Sequence, residues 1–72
     1  MSAVMYVKPG CPYCQAAREH LALEGESVEE RDATIDQDWK AELMDLTAGR
    51  GTVPTILWTD GRKQVGFPPG RG

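Results

Sequence analysis

Two cysteines three positions apart, Cys11 and Cys14, are the residues of this chain best suited to chemistry. Pro12 between them suits the first turn of a helix, because its missing N–H leaves no hydrogen bond unmade there. Unpaired N–H groups and the helix dipole favour an anion at that end, so we expect Cys11 to carry a thiolate. Cys14 follows within reach for a disulfide, and deeper in the helix we expect it to stay protonated until needed. The pair predicts an attacking Cys11 and a resolving Cys14.

A zinc site is the alternative interpretation of the same pair. A structural zinc ion usually needs four ligands. The chain has no second pair of cysteines and one histidine, His20. That residue lies six positions beyond Cys14 on the same predicted helix, so it points elsewhere on the cylinder. We therefore expect no metal within the chain, and we assign His20 to the helix surface.

Size and composition restrict the class of protein. The 72 residues predict one domain, residues 1–72. Hydrophobic residues at 40% and charged residues at 26% are typical of a globular chain. A net charge of −3 without a basic cluster argues against nucleic-acid binding. No apolar run approaches a membrane span, and the N-terminus lacks the pattern of a signal peptide. We therefore expect a cytoplasmic protein with no membrane partner.

Glycine and proline divide the chain into six predicted elements. Short runs of apolar and β-branched residues indicate strands, and apolar residues at spacings of three and four indicate helices. Gly25 and Gly49 are the expected stops of the two helices. The elements are strand 3–7, helix 13–24 with Pro12 in its first turn, strand 27–33, helix 36–48, strand 55–59 and strand 62–65.

The order β-α-β-α-β-β predicts an α/β fold with a mixed sheet of four strands. The first β-α-β unit implies a right-handed crossover and a parallel pair of strands. Asp60-Gly61 predicts a two-residue hairpin turn and an antiparallel pair. The charged second strand suits a sheet edge. Two starts remain open for the second helix, a capping box of Thr34 and Gln37 or an N-cap at Asp36.

A family resemblance rests on two motifs. Cys-Pro-Tyr-Cys at 11–14, after a strand and Lys-Pro-Gly at 8–10, resembles the active site of a dithiol glutaredoxin. Gly-Thr-Val-Pro-Thr at 51–55 is similar to that family's T-V-P motif. The resemblance covers residues 3 to about 69. It implies a thioredoxin-like fold, a cis bond before Pro54, and a thiol–disulfide oxidoreductase that reduces protein disulfides or glutathione mixed disulfides through Cys11 and Cys14.

The resemblance also implies a glutathione site, with glutathione as co-substrate. Lys8 and Tyr13 would line it, and Val53 would present its backbone to glutathione or to an extended peptide. Lys40 would meet a glutathione carboxylate, although an ordinary solvated helix lysine is an equal interpretation, and Arg50 is a second candidate. The substrate residues implied or proposed are Lys8, Pro12, Tyr13, Lys40, Thr52, Val53, Pro54, Gly66 and Phe67. Expected partners are disulfide-bearing proteins and a reductase of the glutathione or thioredoxin type; we expect a monomer, with weak dimerisation as the alternative.

The C-terminal segment departs from dithiol glutaredoxins, which usually carry a Gly-Gly pair followed by an acidic residue. Gly-Phe-Pro-Pro at 66–69 is instead similar to the glutaredoxin-like redoxins of ribonucleotide reductase. One alternative function is therefore an electron-donor redoxin recharged by thioredoxin reductase. Another is a non-catalytic dimer that binds a metal or an iron–sulfur cluster through Cys11 and glutathione.

A third helix, expected in the family after Gly66, should be short or absent. We therefore expect thin cover on part of one sheet face, near Ile56, Trp58 or Val65. Trp58, Phe67 or a partner chain would compensate for the missing helix.

Overall fold

All six predicted elements form in the computed structural model, which describes residues 2–70. Arg71 and Gly72, which fall in the segment where a third helix should be short or absent, lie outside the described residues, as does Met1. Within residues 2–70 no helix has the length and apolar character needed to cross a membrane. The elements are β1 (Ser2–Val7), α1 (Pro12–Leu23), β2 (Ser27–Asp32), α2 (Gln37–Leu46), β3 (Thr55–Trp58) and β4 (Lys63–Val65).

The strands form one mixed sheet in the order β2-β1-β3-β4. β1 pairs parallel with β2 and antiparallel with β3, and β3 pairs antiparallel with β4. The charged strand β2 lies at an edge, as its sequence predicts. The predicted α/β, thioredoxin-like fold with four strands and two helices is confirmed.

One face of the sheet packs against α1. Met5 of β1 is fully buried, and its register partner Glu30 is hydrogen-bonded to Arg18 of α1. The buried residues of the helix are Cys14, Ala17 and Leu21, at spacings of three and four. Leu23 and Ala16, apolar residues of the same helix, are exposed because they lie around the cylinder from this face.

The opposite face packs against α2. Tyr6, the neighbour of Met5, points to this side because side chains alternate along a strand. Its hydroxyl donates to Glu42 of α2 at 2.6 Å and accepts from Arg31 at 3.2 Å. Burial raises the pKa of Tyr6, and the hydrogen bond to Glu42 adds to the shift. Leu43 of α2 is buried beside it.

The ends of α2 resolve one open question and correct another expectation. Asp36 is the N-cap, since its carboxylate accepts from the amides of Asp38 and Trp39, so the capping-box alternative is wrong. At the other end the left-handed conformation begins at Ala48, with φ 55°, one position before the expected Gly49, which is also left-handed with φ 85°. The amide of Gly49 donates to the Met44 carbonyl, and the amide of Ala48 donates to the Asp45 carbonyl. This is a Schellman motif with alanine where glycine is preferred.

The β3–β4 hairpin is one residue longer than predicted. The Trp58 amide donates to the Arg62 carbonyl, so three residues form the loop. Gly61, with φ 93°, donates its amide to the Trp58 carbonyl and takes the left-handed position. Asp60-Gly61 therefore completes a three-residue loop of the bulged kind, and the two-residue turn is wrong.

Cover of the sheet differs in part from the expectation. Ile56 is only 1% exposed, so the prediction of thin cover is wrong at this position. Trp58 and Val65 are half-buried. Phe67 packs against the core, and its ring centroid lies 5.2 Å from that of His20 on α1. The described residues after Gly66 form turns and no helix. Phe67 thus supplies apolar cover on the side of α1.

Candidate redox site

Cys11 caps the N-terminus of α1 with its sulfur. Its backbone is extended, and Sγ accepts the backbone N–H of Cys14 at 3.2 Å. The side chain that satisfies a free amide at a helix start is normally an oxygen acceptor such as serine or aspartate. Here the sulfur occupies that position, so negative charge on it meets an N–H donor and the positive end of the helix dipole. Cys11 is 7% exposed and both cysteines are free.

The loop before β3 lies against the same sulfur. The thiol of Cys11 donates to the Val53 carbonyl oxygen across 4.0 Å. The peptide bond between Val53 and Pro54 is cis. This loop is held by the Thr55 hydroxyl, which donates to the Thr52 carbonyl at 2.7 Å, and by the Gly66 amide, which donates to the Pro54 carbonyl at 2.8 Å.

Cys14 lies beneath Cys11 and is 1% exposed. Burial raises the pKa of the Cys14 thiol to about 12, and its hydrogen bond with Cys11 adds to the increase. The backbone amide of Lys8 and the positive charge of Arg18 oppose that increase of the Cys14 pKa. Cys14 therefore keeps its proton in the reduced protein, and the two thiols have different environments.

A cleft of about 500 Å³ opens beside the two cysteines. The charged side chains in its wall are Lys8, Arg18, Glu30 and Asp32. Arg18 and Glu30 form a bidentate pair across this wall, with both N···O distances 2.6 Å.

A second cleft, of about 460 Å³, lies on the other side of β1 and brings together the predicted cations. Lys8, Lys40 and Arg50 line it, together with Val53. Its base is apolar, formed in part by Leu43 and Met44 of α2. An anionic ligand with an extended backbone would find positive charge on the wall and Val53 at the end nearest Cys11.

The remaining predicted substrate residues lie in different places. Pro12 lines the cysteine cleft, and Tyr13 is 37% exposed at the start of α1. Thr52 is half-buried within the loop before β3. Gly66 is tied to the Pro54 carbonyl, and Phe67 packs towards His20. Those last two residues line neither of the two clefts described above.

Three charged residues of the cysteine cleft, Arg18, Glu30 and Asp32, are absent from the sequence-based candidates. The signal for Arg18 is its position four residues after Cys14, on the same helix face. Glu30 gives no such signal, because it reaches the cleft only through the pairing of β2 with β1. Among residues 2–70 no cluster of three or more His, Cys, Asp or Glu side chains could hold a metal ion.

Comparison with known proteins gives a consistent result. The glutaredoxin family model matches residues 3–62. The chain is similar to the solution structure of glutaredoxin from Brucella melitensis, with 33% identity and a TM-score of 0.71, over 92% of this chain and 70% of that one. It is also similar to a solved structure that concerns the metal binding of glutaredoxins, with 36% identity and a TM-score of 0.54, over 81% of this chain and 63% of that one. No curated protein matches.

Proposed function

This chain belongs to the glutaredoxin family of thiol–disulfide oxidoreductases, and from that premise we propose that it reduces protein disulfides and glutathione mixed disulfides through Cys11 and Cys14. The observation that carries the proposal is the N-cap geometry of Cys11. Its sulfur accepts an amide N–H at 3.2 Å while Cys14 lies buried and protonated beneath it. The Cys11 thiol is placed to attack a disulfide, and the Cys14 thiol is placed to resolve the mixed disulfide that forms.

The chemistry proceeds by two exchanges. The Cys11 thiolate attacks one sulfur of a substrate disulfide, a new S–S bond forms on Cys11, and the other substrate sulfur leaves as a thiolate that takes a proton. Cys14 then loses its proton and attacks Cys11 Sγ. The Cys11–Cys14 disulfide forms, and the second substrate sulfur leaves and is protonated. The substrate gains two electrons and two protons, and the protein loses them.

Glutathione is the co-substrate that the second cleft fits best. Glutathione carries two carboxylates, and the cleft places the side chains of Lys8, Lys40 and Arg50 around an apolar base. Buried Val53 lies between that cleft and Cys11, so its backbone is placed to pair with an extended tripeptide. Recharging then requires two glutathione molecules per Cys11–Cys14 disulfide. The first attacks Cys11 and releases Cys14, and the second attacks the mixed disulfide and leaves as glutathione disulfide.

The reductant is tested by coupling turnover to NADPH oxidation. We expect oxidised protein to be recharged by glutathione with glutathione reductase. Recharging by thioredoxin reductase alone, without glutathione, would contradict glutathione as co-substrate and favour the electron-donor redoxin suggested by Gly-Phe-Pro-Pro at 66–69.

Metal binding is the second candidate, because one similar structure concerns the metal binding of glutaredoxins. With Cys14 protonated, each chain would offer Cys11 alone, so a shared site would need two chains and further thiols. Protein purified without oxygen distinguishes the two functions by its absorbance spectrum, metal content and mass. The oxidoreductase proposal expects a colourless monomer without bound metal, and a coloured dimer would favour the metal-binding function.

A further inference from the structure

In the second exchange Cys14 must become a thiolate while it is buried, and neither cysteine supplies a charge to stabilise it. Cys14 is 1% exposed, so its negative charge is costly when it attacks. A nearby positive charge would lower that cost. The charged side chains that line the cleft around Cys14 are Lys8 from the loop after β1, Arg18 from α1, and Glu30 and Asp32 from β2.

Arg18 has the position that such a charge requires. It follows Cys14 by four residues on α1, so the two side chains lie one above the other on the same helix face. Side chains on a helix lean towards its N-terminus, which directs the Arg18 stem back over the turn that holds Cys14. Arg18 and Cys14 line the same cleft, and the positive charge of Arg18 acts to lower the pKa of Cys14.

Glu30 holds the guanidinium in this place. Arg18 Nε and Nη2 donate to the two carboxylate oxygens of Glu30, each at 2.6 Å. The planar fork of arginine fits a carboxylate in this bidentate way, which fixes orientation as well as distance. The pair joins α1 to β2, and Glu30 is the register partner of Met5 in the centre of the sheet. A surface ion pair of this exposure adds little to the free energy of unfolding. Its main effect is therefore to fix the position of the Arg18 guanidinium.

We propose that Arg18, positioned by Glu30, supplies the positive charge that stabilises the Cys14 thiolate during the second exchange. This assignment rests on the proposed dithiol function. The same charge stabilises Cys14 as leaving group when an external thiolate attacks Cys11 in the disulfide form. In both directions the S–S bond changes partners at Cys11 Sγ, and the negative charge on Cys14 faces Arg18.

Ellman's reagent, one equivalent per reduced protein, separates the two exchanges without glutathione. Attack by Cys11 releases one thionitrobenzoate in the first absorbance phase, and attack by Cys14 on the mixed disulfide releases another in the second. In Arg18→Gln we expect the second phase to slow about three- to tenfold while the first is unchanged. Its rate-against-pH profile should move to higher pH. Arg18→Lys keeps a positive charge but loses the bidentate fit to Glu30, so its second phase should lie between those of Arg18→Gln and the parent.

Glu30→Gln separates an electrostatic role from a structural one. It removes the negative charge but keeps an amide oxygen that can accept from Arg18, so the guanidinium stays in place with its charge unopposed and the second phase should quicken about two- to threefold. Arg62→Gln, a matched loss of charge on the hairpin, should change neither phase. Circular dichroism confirms that each variant is folded.

Three results would contradict the account: two would overturn only the assignment of Arg18, and one would overturn the dithiol function. Equal second phases in parent and Arg18→Gln would overturn the assignment of Arg18 alone. A slower second phase in Glu30→Gln would also overturn it, because a structural pair or a proton acceptor would then explain the effect. Failure of the parent to release a second thionitrobenzoate would reject the dithiol function itself.

Discussion

The thiol of Cys11 lies 4.0 Å from the carbonyl oxygen of Val53, although 42 positions separate the two residues in the chain. This contact joins the start of α1 to the loop before β3, so one site contains a nucleophile and the backbone of the loop with the cis peptide bond. On one side the loop continues to the cleft with Lys8, Lys40 and Arg50. On the other side Cys14 lies buried beside Arg18 and Glu30.

Removing the cations of the second cleft should weaken substrate binding and leave the chemistry intact. We expect Lys40→Ala and Arg50→Ala each to raise KM for a glutathionylated peptide about two- to fivefold, since exposed charge pairs contribute about 0.2–1 kcal/mol. The kcat should change little, because these contacts are made equally in the ground and transition states. Arg62→Ala, outside the cleft, is the control. An unchanged KM in both variants would place the carboxylates of glutathione elsewhere.

Thr47 links α2 to the loop before β3 and should matter more than a threonine usually does. Its buried hydroxyl accepts from the Gly51 amide at 2.8 Å and donates to the Leu43 carbonyl at 2.8 Å. Thr47→Val keeps the shape but leaves the Gly51 amide without that acceptor, so we expect a loss of about 1–3 kcal/mol in the free energy of unfolding. Urea denaturation measures it, with exposed Thr59→Val as the control. Equal losses in the two variants would contradict this role.

Ala48→Gly should stabilise the protein. Ala48 has φ 55°, a left-handed conformation that costs a non-glycine residue about 1–2 kcal/mol. Glycine removes that cost but gains freedom in the unfolded chain, so we expect a net gain of about 0.5–1 kcal/mol. Thermal unfolding should show a Tm rise of about 2–8 °C. The same substitution at exposed, helical Ala16 should lower Tm, and a decrease at both positions would contradict the left-handed assignment.

Cys14 should make stability fall with increasing pH in the alkaline range. Burial raises the pKa of Cys14 from 9.0 to about 12, so the folded protein binds this proton more tightly than the unfolded chain does. The resulting stabilisation is complete below pH 9.0 and is lost as pH rises towards about 12. Its slope cannot exceed about 1.4 kcal/mol per pH unit for one proton.

The comparison of reduced parent with Cys14→Ala isolates this effect from the titration of Tyr6. Urea denaturation at about pH 8 and about pH 10.5 should show a larger fall in the free energy of unfolding for the parent than for the variant. A parallel fall in the two proteins would show that Cys14 does not ionise differently on unfolding.

Local patterns predicted the elements because each carries its own signal. The buried stripe of α1, the carboxylate of Asp36 before α2, and the charge of edge strand β2 act over a few residues. The sequence does not determine the hairpin length, because Asp60-Gly61 fits both a two-residue and a three-residue loop. The pairing of β3 with β4 decides between them. The end of α2 differs from the prediction because the hydrogen bonds of Ala48 and Gly49 to the last turn place the left-handed C′ position one residue before the glycine.

The sequence predicts the cysteines and the loop of the candidate site, but not the charged residues beside Cys14. The cysteines and the loop at 51–55 are sequence motifs, and the fold brings their residues Cys11 and Val53 into contact. Arg18 and Glu30 have no motif, because their pairing depends on the crossover from α1 to β2. Phe67, a predicted substrate residue, packs towards His20 and lines neither cleft.

The central claim is that Cys11 is the attacking thiol and Cys14 the resolving one. Turnover of a glutathionylated peptide and of a protein disulfide by parent, Cys11→Ser and Cys14→Ser tests it most directly. We expect Cys11→Ser to lose both activities to background, and Cys14→Ser to keep the first, with glutathione resolving the mixed disulfide, but to lose the second. Full activity in Cys11→Ser, or loss of both activities in folded Cys14→Ser alone, would contradict the account.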